Sequence, residues 1–331
     1  MNLNDIWSTL EASPRGDAPL VLQSSHDGLH SAVAAGLRFP GAQRVLVLRL
    51  DAAQARMLLR QGMTPAITLT RLQDDPLYSN QVSIELSSTE ARYQELFGLI
   101  GGDLIVQLAD DPRDAGQVIL ARLDLWRGFL RRREEGDTER WARGLLGELW
   151  YLRNHVLRRR PGIVGLGCWL GPTGSAHDFE TGTFSMDLKT GTPASEVVTI
   201  SSLQQLTPSP GSALFLGHLR LRRDGQGTTL REMVASVRDS LKGEECELFD
   251  SRLLAAGYSS DDPDLRDDLR LAVHDFRMFQ VVSGFPALTV ATVPAGIEQC
   301  GYTINLITCR SFQVPADFPW NASPETTTYG H

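Results

Sequence analysis

The alternation of apolar and polar positions predicts a sheet in the first 130 residues of the chain. Four runs have strand-like patterns, and several alternate with a period of two, which is typical of strands with one solvent-facing side. The runs are APLVLQ, RVLVLRL, PAITLTRL and QVSIELS. DIWSTLEA and DAAQARMLLRQG, which ends at Gly62, are predicted to be helices. These patterns indicate a mixed α/β unit.

Two longer stretches complete this first region. STEARYQELFGLIGGDLIVQLAD is predicted to form a helix that ends at Gly101 and Gly102, followed by a strand. QVILARLDLWRGFLRRREEG is predicted to be a helix that connects to the next unit, because its apolar residues share one helical face. Those residues are Val118, Leu120, Leu123, Leu125, Trp126 and Phe129.

A second unit is predicted to start with a helix from Asp137 or Thr138 to about Leu157, before Pro161. After it come a glycine-rich loop, a hairpin that turns at Thr181 to Thr183, the run VVTISSLQQL, a strand in SALFLGHLRLRR and a helix in TTLREMVASVRDSL. Strands are also predicted in FRMFQVVSG, ALTVATV and YTINLITC. The buried stripe of the first helix is predicted to be Leu145, Leu149, Leu152 and Val156.

The length and composition are those of a folded protein with more than one domain. The 331 residues include 42% apolar and 22% charged side chains, which is ordinary for a soluble globular protein. We predict an N-terminal mixed α/β domain at 1–130 and a central core at 131–245. A C-terminal β-rich segment at 246–331 either forms its own sheet or adds strands to the first domain. The fold class is α/β, mixed α+β.

Charge and cysteine usage exclude several classes of protein. The net charge of −8 is unfavourable for coating nucleic acid, so any DNA contact needs a local basic patch or a partner protein. The four cysteines form no CxxC pair, so zinc is not expected. No apolar run approaches the roughly 20 residues of a membrane span, and the N-terminus does not resemble a signal peptide. We therefore predict a cytoplasmic protein.

The stretch from Asp178 to Lys189, DFETGTFSMDLK, carries the candidate chemistry. Side chains alternate across a strand, so Asp187 and Lys189 share a face. A hairpin that closes near Gly182 would bring Asp178 alongside Asp187. Paired carboxylates suit a hard cation such as Mg²⁺ or Mn²⁺, and the lysine could orient or deprotonate a water and offset charge on a scissile phosphate. Glu148, at the border of the buried helix stripe, is the candidate third acid.

Each of these residues also has a plainer interpretation. Asp187 and Lys189 could be a solvated pair on an edge strand, and Asp178 could cap a turn. Glu148 could be a helix-surface acid that pairs with Arg143 or Arg153. His177 is predicted to be a solvated neighbour rather than a ligand.

The combination of motifs resembles the PD-(D/E)XK nuclease superfamily, and most closely the bacterial group of PD-(D/E)XK motif proteins. The resemblance covers most of the chain. It implies a central restriction-endonuclease-like core with sheet-rich N- and C-terminal accessory segments. The motifs that carry it are GLLGELWYL, the turn Trp169-Leu170-Gly171-Pro172, the pair Asp178-Phe179, the strand Met186-Asp187-Leu188-Lys189-Thr190 and the run from Ile200 to Leu206.

Carried over to this sequence, the family pattern implies Glu148, Asp178, Asp187 and Lys189 as catalytic residues, with the three acids as metal ligands for Mg²⁺ or Mn²⁺. The sequence departs from the family pattern in two places. Asp178 is followed by Phe179 instead of belonging to a Pro-Asp pair, and Asp187 stands where Glu is commoner in this group. Gln205 resembles a polar residue that such nucleases place near metal or phosphate. Its alternative is an ordinary amide at a helix start.

The resemblance implies a metal-dependent endodeoxyribonuclease, a subunit of a bacterial restriction or anti-phage system beside a helicase-like ATPase and a DNA methyltransferase. The alternative is a catalytically inactive subunit that binds DNA or assembles a complex. Arginines crowd the Glu148 helix, and Arg143 and Arg153 are candidate DNA contacts, although charged runs are often simply solvated. The arginines are Arg131, Arg132, Arg133, Arg140, Arg143, Arg153, Arg158, Arg159 and Arg160.

Overall fold

The chain folds as two compact units, Met1–Glu135 and Gly136–His331. A computed structural model describes residues 3–12, 19–23, 32–73, 80–88, 90–110, 114–134, 138–173, 175–208, 211–260, 262, 265, 268–289, 292–294, 297 and 300–321. Helices and sheets occur in both units, which confirms the mixed α+β class. In this described part, no helix combines the length and the apolar character needed to cross a membrane.

The first unit is built on an antiparallel five-stranded sheet with the order β1-β2-β3-β5-β4. Its strands are β1 (Leu20–Gln23), β2 (Val33–Arg38), β3 (Gln43–Leu50), β4 (Thr68–Arg71) and β5 (Val82–Ser87). Its helices are α1 (Leu3–Ala12), α2 (Ala52–Gln61), α3 (Ala91–Asp110) and α4 (Ala115–Glu134). The four predicted strands are present, and β2 was not predicted because VAAGLR is buried along nearly its whole length and shows no alternation.

The prediction of a helix that ends at Gly101 and Gly102 was wrong, because α3 continues through both glycines to Asp110. The buried residues Ile100, Leu104 and Leu108 continue the helical stripe past them. Burial of these side chains outweighs the cost of about 1 kcal/mol for each glycine in a helix interior. The segment predicted to be a strand is therefore the second half of the helix.

The second unit is built on a five-stranded sheet with the order β12-β10-β9-β7-β6, beside a two-stranded sheet of β11 and β8. The strands are β6 (Phe179–Glu180), β7 (Phe184–Gly191), β8 (Val197–Ile200), β9 (Ala213–Thr228), β10 (Leu271–Gln280), β11 (Tyr302–Asn305) and β12 (Gln313–Val314). The helices are α5 (Thr138–Tyr151), α6 (Gly162–Gly167), α7 (Leu230–Arg238), α8 (Glu244–Ala255) and α9 (Phe318–Asn321).

The two faces of the larger sheet pack against different apolar clusters. Phe184, Met186 and Leu188 of β7 belong to the cluster that includes the helices α5 and α7. Leu216 of β9 belongs to a second cluster, which includes Ile304 of the small sheet. Successive side chains of a strand point to opposite faces, so the even-numbered residues of β7 face the α5 side and the odd-numbered residues face the other side. The same alternation places Asp187 and Lys189 on the face of Leu216, away from the α5 side.

Helix α5 lies close against β7. A Cβ at Gly147 would be 2.3 Å from the Thr190 Cγ2 atom, so only glycine allows this approach. The stripe predicted on the helix, Leu145 to Val156, is buried as expected. After Tyr151 the helix continues as one π-helical stretch, Leu152–Val156. Asp137, the alternative N-cap, lies outside the described residues.

Three further expectations differ from the structure. The segment predicted to be a glycine-rich loop contains the short helix α6, and His177 is buried with 2% of its surface exposed rather than solvated. The described residues of ALTVATV are not in a strand. The C-terminal segment was expected to stand apart from the central core, but β10 pairs with β9 and β12 pairs with β10. Its strands thus complete the core sheet of the second unit.

Candidate active site

A short hairpin brings Asp178 beside the strand that carries Asp187. In it, β6 pairs antiparallel with β7, with Phe179 opposite Met186. Strand β6 has only two residues, and beyond it the backbone N–H of Leu188 donates to the Asp178 Oδ2 atom at 2.7 Å. The Asp178 carboxylate therefore takes the place of a backbone partner at the edge of β7. This geometry agrees with the hairpin predicted from the sequence.

The turn after α6 fixes the backbone of Asp178. The N–H groups of Leu170 and Gly171 both donate to the Asp178 carbonyl oxygen, at 2.8 Å and 3.0 Å. The carbonyl of Cys168 accepts from the N–H of Glu180 at 2.9 Å. Asp178 is thus held by three N–H groups, two at its carbonyl and one at Oδ2, and its Oδ1 atom is directed toward Gly171.

Glu148 reaches the same place from α5. The buried indole of Trp169 donates from Nε1 to the Glu148 Oε2 atom at 2.8 Å. A Cβ at Gly171 would lie 2.9 Å from this oxygen and 2.9 Å from Asp178 Oδ1. The two carboxylates therefore face one small space, which exists because residue 171 has no side chain.

Asp187 and Lys189 form an ion pair on β7. The Lys189 Nζ atom lies 2.9 Å from the Asp187 Oδ2 atom, and the Asp187 side chain is 1% exposed. The ammonium contacts Oδ2, whereas no hydrogen-bond donor of the described part of the chain contacts Oδ1. The interpretation as a solvated pair is therefore wrong. A buried carboxylate with an unused acceptor oxygen is typical of a site that binds a cation or a proton donor.

Glu148, Asp178, Asp187 and Lys189 form the acidic cluster of the site. Burial and neighbouring charges change the pKa values of two of its members, Asp178 and Lys189. Burial raises the pKa of Asp178 well above its usual value, and the negative charges of Glu148 and Asp187 raise it further. Burial by itself would lower the pKa of Lys189, but the negative charges of Asp187 and Asp178 outweigh that effect and the net shift is upward. With all three acids ionised the group would carry more negative charge than one ammonium can balance, which is why Asp178 tends to keep its proton.

This donor set suits a hard divalent cation, although the ligands are not assembled around one point. Carboxylate oxygens are the preferred ligands of Mg²⁺ and Mn²⁺. The space at Gly171 and the Asp187 Oδ1 atom, which has no hydrogen-bond donor in the described part of the chain, are the features that fit such an ion. Among the residues that the structure describes, however, no three His, Cys, Asp or Glu side chains are arranged to hold a metal ion.

Three residues were predicted to contact DNA, and each either lies outside the acidic cluster or forms local hydrogen bonds. They are Arg143, Arg153 and Gln205. Arg143 donates to the Leu221 carbonyl and to Glu139, at 2.9 Å and 3.0 Å. The Gln205 side-chain oxygen accepts from the N–H of Ser201, as in its plainer interpretation. Arg153 is exposed. The side chains of Arg131 to Arg133 are outside the described part of the chain.

Sequence reasoning did not assign roles to Trp169 and Gly171, although both belong to a turn that it noted. A buried tryptophan usually finds an acceptor for its N–H, which was the available signal for Trp169. Gly171 gave no such signal. A glycine is needed there because Asp178 and Glu148 lie close to it, and these residues come from other segments of the chain. These two residues connect Glu148 of α5 with Asp178, which precedes β6.

We expect Gly171→Ala to weaken Mn²⁺ binding by tenfold or more, because the added methyl group would displace the oxygens of Asp178 and Glu148. Overpacking of this kind also costs about 1–3 kcal/mol of stability. Isothermal titration calorimetry with Mn²⁺ measures the affinity. Gly167→Ala is the matched control, since Gly167 is exposed and a Cβ there would have no neighbour within 4 Å. Wild-type affinity in Gly171→Ala would contradict this account of the site.

Comparison with known proteins gives one family for the chain. A family model described as "Putative PD-(D/E)XK family member, (DUF4420)" matches residues 3–307. No match was found among curated proteins or among solved structures. The match spans both units and includes the acid of α5, the hairpin and the Asp-x-Lys strand. The chain therefore belongs to this PD-(D/E)XK family, as its motifs predicted, and has the nuclease-like fold that the family implies.

Proposed function

We propose that the protein is a Mg²⁺- or Mn²⁺-dependent endodeoxyribonuclease that hydrolyses phosphodiester bonds of DNA. The observation that supports it best is the buried Asp187 carboxylate, which pairs with Lys189 through Oδ2, has no hydrogen-bond donor at Oδ1 in the described structure and acts electrostatically on Asp178. Burial of a carboxylate with an oxygen left unsatisfied is costly, which is typical of a site that binds a ligand there. Membership of the family supports the same reaction.

Each residue of the cluster has a distinct role in this proposal. Asp178 and Asp187 hold the cation, and Glu148 supports it from α5. When bound, the cation polarises the phosphoryl oxygen and lowers the pKa of an attacking water. Lys189 stays protonated, so its ammonium orients that water by donating a hydrogen bond to it and offsets negative charge on the phosphate in the transition state. In the metal-free chain the ammonium balances part of the charge of Asp187.

DNA delivery by partner proteins is part of the same proposal. The net charge of −8 opposes unaided binding to DNA, whereas Arg153, Arg158 and Arg159 are exposed beyond the Glu148 helix and could contact phosphates. We therefore propose a subunit of a cytoplasmic restriction or anti-phage system that acts with a helicase-like ATPase and a DNA methyltransferase. The resemblance to the family supports these partners.

A second candidate is a non-catalytic subunit that retains the nuclease fold for DNA binding or assembly. The observation in its favour is that the acids of the described chain do not already surround a metal position. In this case Asp187 and Lys189 would be a buried ion pair without chemistry. The two candidates differ in their affinity for a divalent ion.

The test uses the purified full chain with supercoiled plasmid, linear duplex and single-stranded oligonucleotides. We expect Mn²⁺ binding by calorimetry, cleavage of DNA with Mg²⁺ or Mn²⁺, loss of cleavage in EDTA and recovery when the metal is added back. Ca²⁺ should bind without supporting cleavage to the same extent. Absence of Mn²⁺ binding would leave the non-catalytic candidate in place.

A further inference from the structure

We propose that Trp169 is a positioning residue of the nuclease site: its indole N–H holds the Glu148 Oε2 atom, the oxygen that faces Asp178 across the space at Gly171, and so fixes the direction of this carboxylate. This inference rests on the proposed function. Indole has a single donor and no acceptor, so it can hold the carboxylate in one way only. Trp169 itself does not take part in the reaction.

The surroundings of Trp169 fix the direction of its donor. The side chain is fully buried, and its ring packs against Phe249 with a centroid distance of 6.0 Å. Its backbone forms a bridge to Phe179, which precedes the turn of the hairpin. The Trp169 ring therefore cannot turn without disturbing the core. A fixed donor restricts the rotamers of Glu148, whose side chain would otherwise have several.

The same short segment positions two acids from different elements. Trp169 bonds the Glu148 carboxylate from α5, and the N–H groups of Leu170 and Gly171 bond the carbonyl of Asp178. Three consecutive residues thus set the separation of the two carboxylates. Groups that orient a metal ligand in this way typically affect metal affinity by about 10–100-fold when removed.

A purely structural hydrogen bond is the competing explanation, and the chain contains a matched example. The indole of Trp141 donates to the Ala256 carbonyl oxygen at 2.8 Å, the same distance as in the Trp169 bond. That acceptor is a neutral backbone group outside the acidic cluster. Trp141→Phe therefore removes an indole hydrogen bond of the same length and leaves the acids of the site unchanged.

The experiment compares Trp169→Phe with Trp141→Phe. We expect both to lower the melting temperature by roughly 2–8 °C, as loss of one hydrogen bond predicts. By calorimetry, the Mn²⁺ dissociation constant should rise about 10–100-fold in Trp169→Phe and remain within about twofold of wild type in Trp141→Phe. At saturating Mn²⁺, kcat should fall in Trp169→Phe with little change in KM for DNA.

A double-mutant cycle shows whether the effect passes through Glu148. In a Glu148→Ala background, Trp169→Phe should change the Mn²⁺ dissociation constant by less than about twofold, since the indole then has no carboxylate to orient. An equal loss in both backgrounds would overturn the proposal. If the Phe variant is poorly folded, replacement of Trp169 by 3-benzothienylalanine keeps the ring shape, removes the N–H and should give the same loss.

The outcomes separate this inference from the proposed function. If wild type binds Mn²⁺ and cleaves DNA while Trp169→Phe matches Trp141→Phe, only the role of Trp169 is overturned. If wild type binds no Mn²⁺, both proposals are overturned.

Discussion

Replacement of Lys189 by Met is expected to reduce metal-dependent DNA cleavage about 10³-fold while Mn²⁺ still binds. The ammonium lies 2.9 Å from Asp187 Oδ2, on the face of β7 that carries the acid. There it can reach a water or phosphate beside the cation. Loss of a positioned charge or proton donor of this kind typically costs about 10²–10⁴ in rate.

The same substitution should destabilise the metal-free protein. Without the ammonium, Asp187 is a buried carboxylate that has lost its ion-pair partner, which typically costs about 3–5 kcal/mol. Because a bound cation can replace the ammonium, Mn²⁺ should raise the melting temperature more in Lys189→Met than in wild type. Thermal melts with and without Mn²⁺ measure this difference.

Two further variants complete this test. The chain contains only two lysines, and Lys242 is exposed, so Lys242→Met is a matched control that should retain cleavage and stability. Lys189→Arg keeps the positive charge but places it on a larger planar group that does not reproduce the position of the ammonium, so it should keep more stability than Lys189→Met and still lose cleavage. Wild-type cleavage by Lys189→Met would refute the role of Lys189.

Replacement of Asp178 by Asn should abolish Mn²⁺ binding and make the metal-free protein more stable at neutral pH. The folded pKa of Asp178 is raised above the usual 3.8, first by burial and then by Glu148 and Asp187. Protonated Asp178 therefore favours folding at low pH, and that stability is lost as the pH rises through the folded pKa. Asn is neutral and can still accept from the N–H of Leu188, so it avoids this loss.

We expect a higher melting temperature for Asp178→Asn than for wild type at neutral pH in EDTA. Thermal melts in EDTA from pH 4 to pH 8 should show the advantage of Asp178→Asn growing with pH. Asp275→Asn is a control of opposite sign, because the hydrogen bond from Arg220 lowers the pKa of Asp275. It should destabilise the protein at neutral pH, and this difference should shrink as the pH falls. A lower melting temperature for Asp178→Asn in EDTA at neutral pH would contradict the electrostatic account of the site.

Local sequence patterns predicted which helices and strands carry the site better than they predicted which strands pair with one another. Period-two alternation and the turn at Thr181 to Thr183 located the hairpin, and helical spacing located α5. Neither pattern specifies which strands pair across long sequence separations. That is why the C-terminal strand β10 was assigned to a separate segment although it pairs with β9.

By itself, the sequence determined that Asp187 and Lys189 share one face of a strand and that Glu148 borders a buried helix stripe, because both follow from the periods of strand and helix. Only the tertiary structure decided that Glu148 and Asp178 face one space. That depends on a turn after α6, where Trp169 and Gly171 meet residues that are distant in sequence. Side-chain burial and close approach arise from packing between elements, which no local pattern encodes.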